Sequence, residues 1–320
     1  MSIRLFRCLG LLVLLTLLAG QSGVSAITIA PKPAAAPSGL PRLSQQSTLV
    51  PRSDDFGINN VIKGGQLLGT GALNPQRLDR AKTLGTGWNR VVLAWYDVEP
   101  YNDIDNEQDP DRWGPQEPCT GVPTAPIPMD RWLWPEYDQT VNNARLQGIE
   151  TLFVLQGVPQ CWQISPSNRR PVSLGAPIFQ TAGGPSDSIA NATGINPANG
   201  WAHYVFQAVV RYGDRVTYWQ VWNEVNGKFW ESPSTPQEFA RMVEVTYWAA
   251  KYASQHKNRP DVQLVMPGME DYSPGSQLSQ RTIDLLNTLN QTSAISSEPY
   301  LKYFSIFAAH GYNIPWRTVE

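Results

Sequence analysis

Asn223 and Glu224 are the residues of this chain best placed to do chemistry. They close the run Val216-Thr217-Tyr218-Trp219-Gln220-Val221-Trp222, whose β-branched and aromatic residues are those of a buried strand. The run then turns polar and reaches Gly227. A carboxylate at the end of an apolar strand is costly to bury unless it has a partner or a task. General acid–base catalysis is one such task, and pairing with a nearby arginine is the plain structural alternative.

The surrounding elements alternate strand and helix. Val61 to Leu68 reads as a first strand, and Asn74-Pro75 opens a helix that Gly85 ends. Asn89 to Trp95 is the second strand, followed by a long Pro- and acid-rich loop from Asp97 to Met129. A helix over Pro135 to Gln147 precedes the third strand, Ile149 to Leu155. A second long loop, Gln160 to Gly200, leads to the helix Trp201 to Tyr212 and then to the fourth strand, which carries Glu224. Thr235-Pro236-Gln237-Glu238 is a capping box opening the next helix. Val262 to Met266 is strand five, a helix lies near Arg281 to Leu289, and strand six runs from Tyr303 to Ala309.

This alternation predicts an α/β fold with a parallel sheet. No glycine-rich phosphate loop follows the first strand, which argues against a dinucleotide fold. Polar and aromatic residues collect after strands two, three, four and six, as on the catalytic face of a (β/α)8 TIM barrel. About six β/α units of such a barrel are present.

Residues 1–26 read as a secretory signal peptide, with Arg4 and Arg7 before the apolar run Leu9 to Ala19 and small residues at Val24-Ser25-Ala26. A lipid-bearing cysteine is not expected, because Gln21 stands where it would be. Residues 27–55 form a Pro-, Ala- and Ser-rich linker, and 56–320 the catalytic domain, so the expected location is secreted. A net charge of −2 favours neither nucleic acid nor an anionic membrane, and no later apolar run spans a bilayer. Once the signal is removed, Cys119 and Cys161 are the remaining cysteines. In an oxidising compartment they form a bridge between two loops on one face or stay as two thiols. Asp97, Asp103 and Asp105 lack the glycine and terminal Glu of a calcium loop, so no metal and no cofactor are expected. Twelve Trp and twelve Tyr suit the C–H faces of sugars or a large core.

The chain from about Phe56 to Pro315 resembles the clan A retaining glycoside hydrolases, which include cellulases and β-xylosidases. Trp222-Asn223-Glu224 is similar to the family's Trp-Asn-Glu-Pro segment at the end of strand four, with Val225 in place of Pro. Asn89-Arg90 and Trp95-Tyr96-Asp97-Val98-Glu99-Pro100 resemble its strand-two motif, and His310 with Tyr312 its strand-six pair. The resemblance implies that Glu224 is the acid/base on a β-glycosidic bond and that Asn223 binds the sugar 2-hydroxyl. It further implies that Arg90 keeps the nucleophile ionised and that His310 and Tyr312 bind sugar or orient that nucleophile. Trp95, Trp162 and Trp316 are candidate stacking platforms. Glu99 is the runner-up carboxylate, with a loop-fixing role suggested by its Pro neighbour.

A retaining reaction needs a second carboxylate, which the family places at the end of strand seven. Only ten residues follow His310, too few for a crossover and return strand, so the sequence reads as C-terminally incomplete and without its nucleophile. The alternative from another class is a non-catalytic extracellular carbohydrate-binding protein on a hydrolase scaffold.

Overall fold

The computed structural model describes residues 57–59, 80–99, 122–124, 126–128, 131–165, 168–227, 230, 235–270 and 277–308. The chain divides into two units, Met1–Val50 and Pro51–Glu320. The signal and linker segments, the strand expected over Val61 to Leu68 and the start of the following helix lie outside the described residues.

Six strands build one parallel sheet: β1 (Gly57–Asn59), β2 (Trp88–Ala94), β3 (Glu150–Gln156), β4 (Tyr218–Val221), β5 (Gln263–Met266) and β6 (Ile306–Phe307). Their order across the sheet is their order in the chain, and among the described residues the sheet does not close. The reversal that marks a doubly wound sheet is therefore absent from these six. Among the described residues the first strand is Gly57–Asn59, pairing Gly57 with Trp88. A strand three residues long carries too little periodicity to be read from sequence.

Among the described residues the four longest helices are α1 (Pro135–Leu146), α2 (Gly200–Tyr212), α3 (Pro236–His256) and α4 (Gln277–Leu289). Their ends follow local chemistry. The Asn199 side chain caps α2 by accepting from Ala202 N, and its amide also donates to Ala176 O at 2.8 Å. The capping box expected at Thr235 is formed, with both reciprocal bonds to Glu238.

Alternation along β2 divides its side chains between two faces. Asn89, Val91 and Leu93 are fully buried, whereas Trp88, Arg90 and Val92 are half-buried on the other face. On β3 and β4, Phe153 and Trp219 are likewise fully buried. Phe153 meets Tyr212 of α2 at 5.3 Å, Trp219 at 5.4 Å and Tyr137 of α1 at 6.1 Å between ring centres. Edge-on and tilted rings at these spacings fill the layer between sheet and helices. The long loop after β3 folds into small sheets of its own. Gln163–Ser165 pairs with Asn168–Pro171, and Phe179–Thr181 lies between Gly184–Ser186 and Ala192–Ile195.

Gly157 ends β3 with φ +76, and its carbonyl accepts from Tyr96 N at 2.8 Å. A Cβ there would lie 2.6 Å from Tyr96 Cε1 and 3.0 Å from the Ala94 Cβ. Gly148 has a similar φ, +71, with open space around it. Gly157→Ala should therefore cost more than Gly148→Ala, about 1–3 kcal/mol against about 1 kcal/mol. Urea unfolding midpoints at unchanged slope measure both, and equal losses would contradict the packing argument.

Candidate functional site

The site is built where β4 ends. Trp222 N donates to Leu155 O of β3 at 3.0 Å, after which the chain leaves the sheet. Trp222 and Glu224 both take left-handed backbone, with φ 64 and 42. Each such non-glycine residue costs about 1–3 kcal/mol and persists only where its surroundings enforce it. The turn continues with Gly227 N donating to Glu224 O at 2.9 Å. Glu224 is only 6 % exposed, and its own N–H reaches Gly268 O, beyond β5, at 3.2 Å.

Arg90 of β2 reaches across β3 to this turn. Its Nε donates to Gln220 Oε1 at 3.1 Å and its Nη2 to Asn223 Oδ1 at 2.8 Å. Gln220, itself 2 % exposed, then donates through Nε2 to Trp222 O at 2.6 Å. With Asn223 Oδ1 committed to a guanidinium, the amide has one orientation, and its NH2 group is left to donate outward. Through these bonds Arg90 fixes the polar end of β4.

The loop after β5 brings Glu270 over the same turn. A Cβ on Gly227 would lie 1.9 Å from Glu270 Oε2, so the half-buried carboxylate rests against the bare Cα of Gly227. A side chain at 227 would make that carboxylate swing aside. Sequence reasoning missed Gln220, Asn226 and Glu270, and nothing in composition or spacing distinguishes them.

Two expected sugar platforms are core residues instead, which corrects the reading of Trp95 and Trp162. Both are fully buried. Trp95 opens the short helix Trp95–Val98 and stacks on Trp162 at 5.7 Å and on Tyr204 at 5.4 Å. No ring face is left for a sugar. From Trp95 the aromatic contacts run on through Trp201 and Trp222 to Trp230, at 6.0, 6.0 and 5.6 Å. The aromatic wealth of this chain thus includes a rigid base beneath the Glu224 turn.

Glu99 is a buried structural carboxylate. It accepts from Trp95 Nε1 at 2.5 Å and from Ile127 N at 2.9 Å, tying the Asp97–Met129 insertion to the end of β2. Burial pushes its pKa up to about 7, against the bonds from Ile127 and Trp95 and a weaker pull from Trp162 Nε1, which is off hydrogen-bond geometry. Asp97 accepts from the Tyr137 hydroxyl at 2.7 Å. Among the described residues no group of three His, Cys, Asp or Glu could hold a metal, and no helix is long and apolar enough to cross a membrane. Cys161 is disulfide-bonded. Cys119, His310, Tyr312 and Trp316 lie outside the described residues, as do Asp103 and Asp105.

No family model and no curated protein matches this sequence. Among solved structures the chain is similar to a family 39 glycoside hydrolase from the gut symbiont Bacteroides cellulosilyticus WH2. Identity there is 17%, the TM-score 0.44, and the match covers 82% of this chain and 39% of that one. It is also similar to the catalytic domain of GH30 xylanase C from Talaromyces cellulolyticus, at 12% identity and TM-score 0.43, over 80% of this chain and 52% of that one. A β-glucosidase from Thermotoga maritima matches at 13% identity and TM-score 0.38, over 78% and 59%. The chain spans less than two thirds of each of these structures. Likeness this distant leaves the functional assignment to the chain's own geometry.

The pH dependence of Glu99 has a definite sign. Its folded pKa, about 7, lies above the ordinary 4.5, so the fold favours the protonated form. That stabilisation is complete below about pH 4.5, declines as pH rises and is gone above about 7. The shift corresponds to about 3 kcal/mol. Denaturant unfolding at pH 5 and pH 8 should show that loss in the natural protein and a much flatter profile in Glu99→Gln. An equal pH dependence in both would contradict the assignment.

Proposed function

We propose that this chain carries the acid/base half of a retaining glycoside hydrolase acting on β-glycosidic bonds of oligo- or polysaccharides. The observation that carries the reading is the end of β4. Glu224 is nine-tenths buried in a left-handed turn, beside an amide whose carbonyl is held by Arg90 and whose NH2 is left to donate.

The sheet supports a (β/α)8 barrel wall. Trp88 and Tyr218 meet edge-on at 5.1 Å, and Arg90 meets Gln220 one step further along, all four from β2 and β4. Side chains of alternate strands sharing layers are the interior arrangement of a barrel. Glu224 then stands at the carboxyl end of a wall strand, where barrel enzymes keep their catalytic groups.

In the proposed reaction Glu224 protonates the glycosidic oxygen as the bond to the sugar breaks, and afterwards takes a proton from the attacking water. Asn223 donates its N–H to the sugar 2-hydroxyl oxygen, a contact that tightens in the transition state. Arg90 holds Asn223 in the flip that makes it a donor. Retention also requires a nucleophilic carboxylate about 5–5.5 Å from the acid. His310 and Tyr312, which follow β6 in sequence, and Trp316 are proposed to complete the sugar site. We further propose export through residues 1–26, a 27–55 linker and a Cys119–Cys161 bridge between the two long loops.

The test is turnover of β-linked glucan, xylan and aryl β-glycosides by the exported protein and by Glu224→Gln. Removing the acid should lower turnover of unactivated glycosides about 10²–10⁴-fold while sugar binding is kept. Binding without turnover in the natural protein would instead favour a carbohydrate-binding role on a hydrolase scaffold. Glu224→Gln turning over unactivated glycosides at the natural rate would overturn the reading.

A further inference from the structure

The turn that presents Glu224 is strained at two non-glycine residues, and Arg90 and Gln220 restrain only its β2 side. On the side facing β5 a buried amide ties it down. Asn226 is 2 % exposed. Its Oδ1 accepts from Glu270 N at 2.8 Å, and its Nδ2 donates to Glu270 O at 2.6 Å. The same Nδ2 also donates to Thr282 Oγ1 of α4 at 2.8 Å. Both amide hydrogens and the oxygen are thus engaged, with a loop 44 residues away and with a helix 56 residues away. These bonds run parallel to Glu224 N donating to Gly268 O, two residues before Glu270. The closeness of this approach is set by Gly227, against which the Glu270 carboxylate rests.

We propose that Asn226 is the positioning residue of this site, a clasp between the turn after β4 and the loop after β5 that holds Glu224 in its left-handed conformation. The proposal rests on the reading of Glu224 as the acid but concerns a different residue, one that acts through the backbone and touches no substrate. The geometry requires an amide. A carboxylate at 226 would set oxygen against both Glu270 O and Thr282 Oγ1, although the hydroxyl could turn to donate. An alanine would leave the Glu270 N–H and C=O without their partner, and such buried groups are costly when unpaired. With the clasp open, the turn is free to relax toward ordinary right-handed backbone, carrying the Glu224 carboxyl away from its working place.

Amide hydrogen exchange on the full chain tests the clasp without reference to activity. In Asn226→Ala, residues 222–227 and 268–270 should exchange about 10–100-fold faster, the size expected for losing a few net hydrogen bonds, while Val205 to Val209 of α2 keep their protection. Asn226→Asp serves if the alanine variant fails to fold, because it keeps the Oδ1 acceptor and loses the Nδ2 donors. Unchanged exchange around Glu224, or acceleration shared equally by α2, would overturn the proposal. Turnover gives the second readout. Where Glu224→Gln has lost turnover of unactivated glycosides, Asn226→Ala should lose kcat on them about 100-fold with little change in KM, as for a displaced catalytic group, and should alter the alkaline limb of the pH profile. Full kcat with local exchange accelerated would overturn the positioning role. Undiminished turnover of unactivated glycosides by Glu224→Gln would reject the hydrolase reading, and the exchange experiment would still decide whether Asn226 holds the turn.

Discussion

The Arg90 guanidinium is the interaction on which the site depends. A permanent positive charge on the half-buried face of the sheet must find acceptors, and it finds two side-chain amides, Gln220 and Asn223. Those bonds do more than satisfy the charge. They set the direction of both amides, so that Gln220 donates onward to Trp222 O and Asn223 turns its NH2 away from the arginine. The carbonyl held by Gln220 belongs to the first left-handed residue of the turn, and Glu224 is the second. One cation on β2 therefore organises the backbone path at the end of β4.

That organisation needs a stiff base, and the aromatic core supplies it. Trp95, Trp162, Trp201 and Tyr204 are all fully buried and in ring contact around Trp95. The polar atoms of Trp95, Trp201 and Tyr204 bind local structure, as when the Tyr204 hydroxyl donates to Leu93 O at 2.5 Å and Trp201 Nε1 to Thr246 Oγ1 at 2.9 Å. Large, rigid side chains resist the rearrangement that would let a strained turn relax. The Glu99 carboxylate extends this base to the Asp97–Met129 insertion by holding Ile127 N.

Much of the scaffold was legible in the sequence because it is written in local chemistry. Strands β2 to β5 announce themselves by β-branched runs, α2 and α3 by apolar periodicity, and α3 also by the Thr235 to Glu238 box. Very short strands, such as β1 and those of the loop after β3, carry no period to read, whereas β6 falls inside the run expected over Tyr303 to Ala309. Tryptophan identity was ambiguous in principle. Trp95 reads as a platform at a strand end, yet the chain turns there into a short helix that directs the ring into the core. In the site, Asn223 and Glu224 stood out as polar residues ending an apolar strand. Gln220, Asn226 and Glu270 did not, because their partners lie far away in sequence and only the folded sheet brings them together.

The central claim is that Glu224 delivers a proton to a departing sugar oxygen. The direct measurement is the leaving-group dependence of hydrolysis, using aryl β-glycosides with graded phenol acidity on the natural protein and on Glu224→Gln. Loss of a general acid predicts a large deficit in kcat/KM, which reports the first step, for weakly acidic phenols and sugar aglycones, shrinking toward none as the phenol becomes strongly acidic. A deficit of the same size across the whole series, or none at all, would contradict the account.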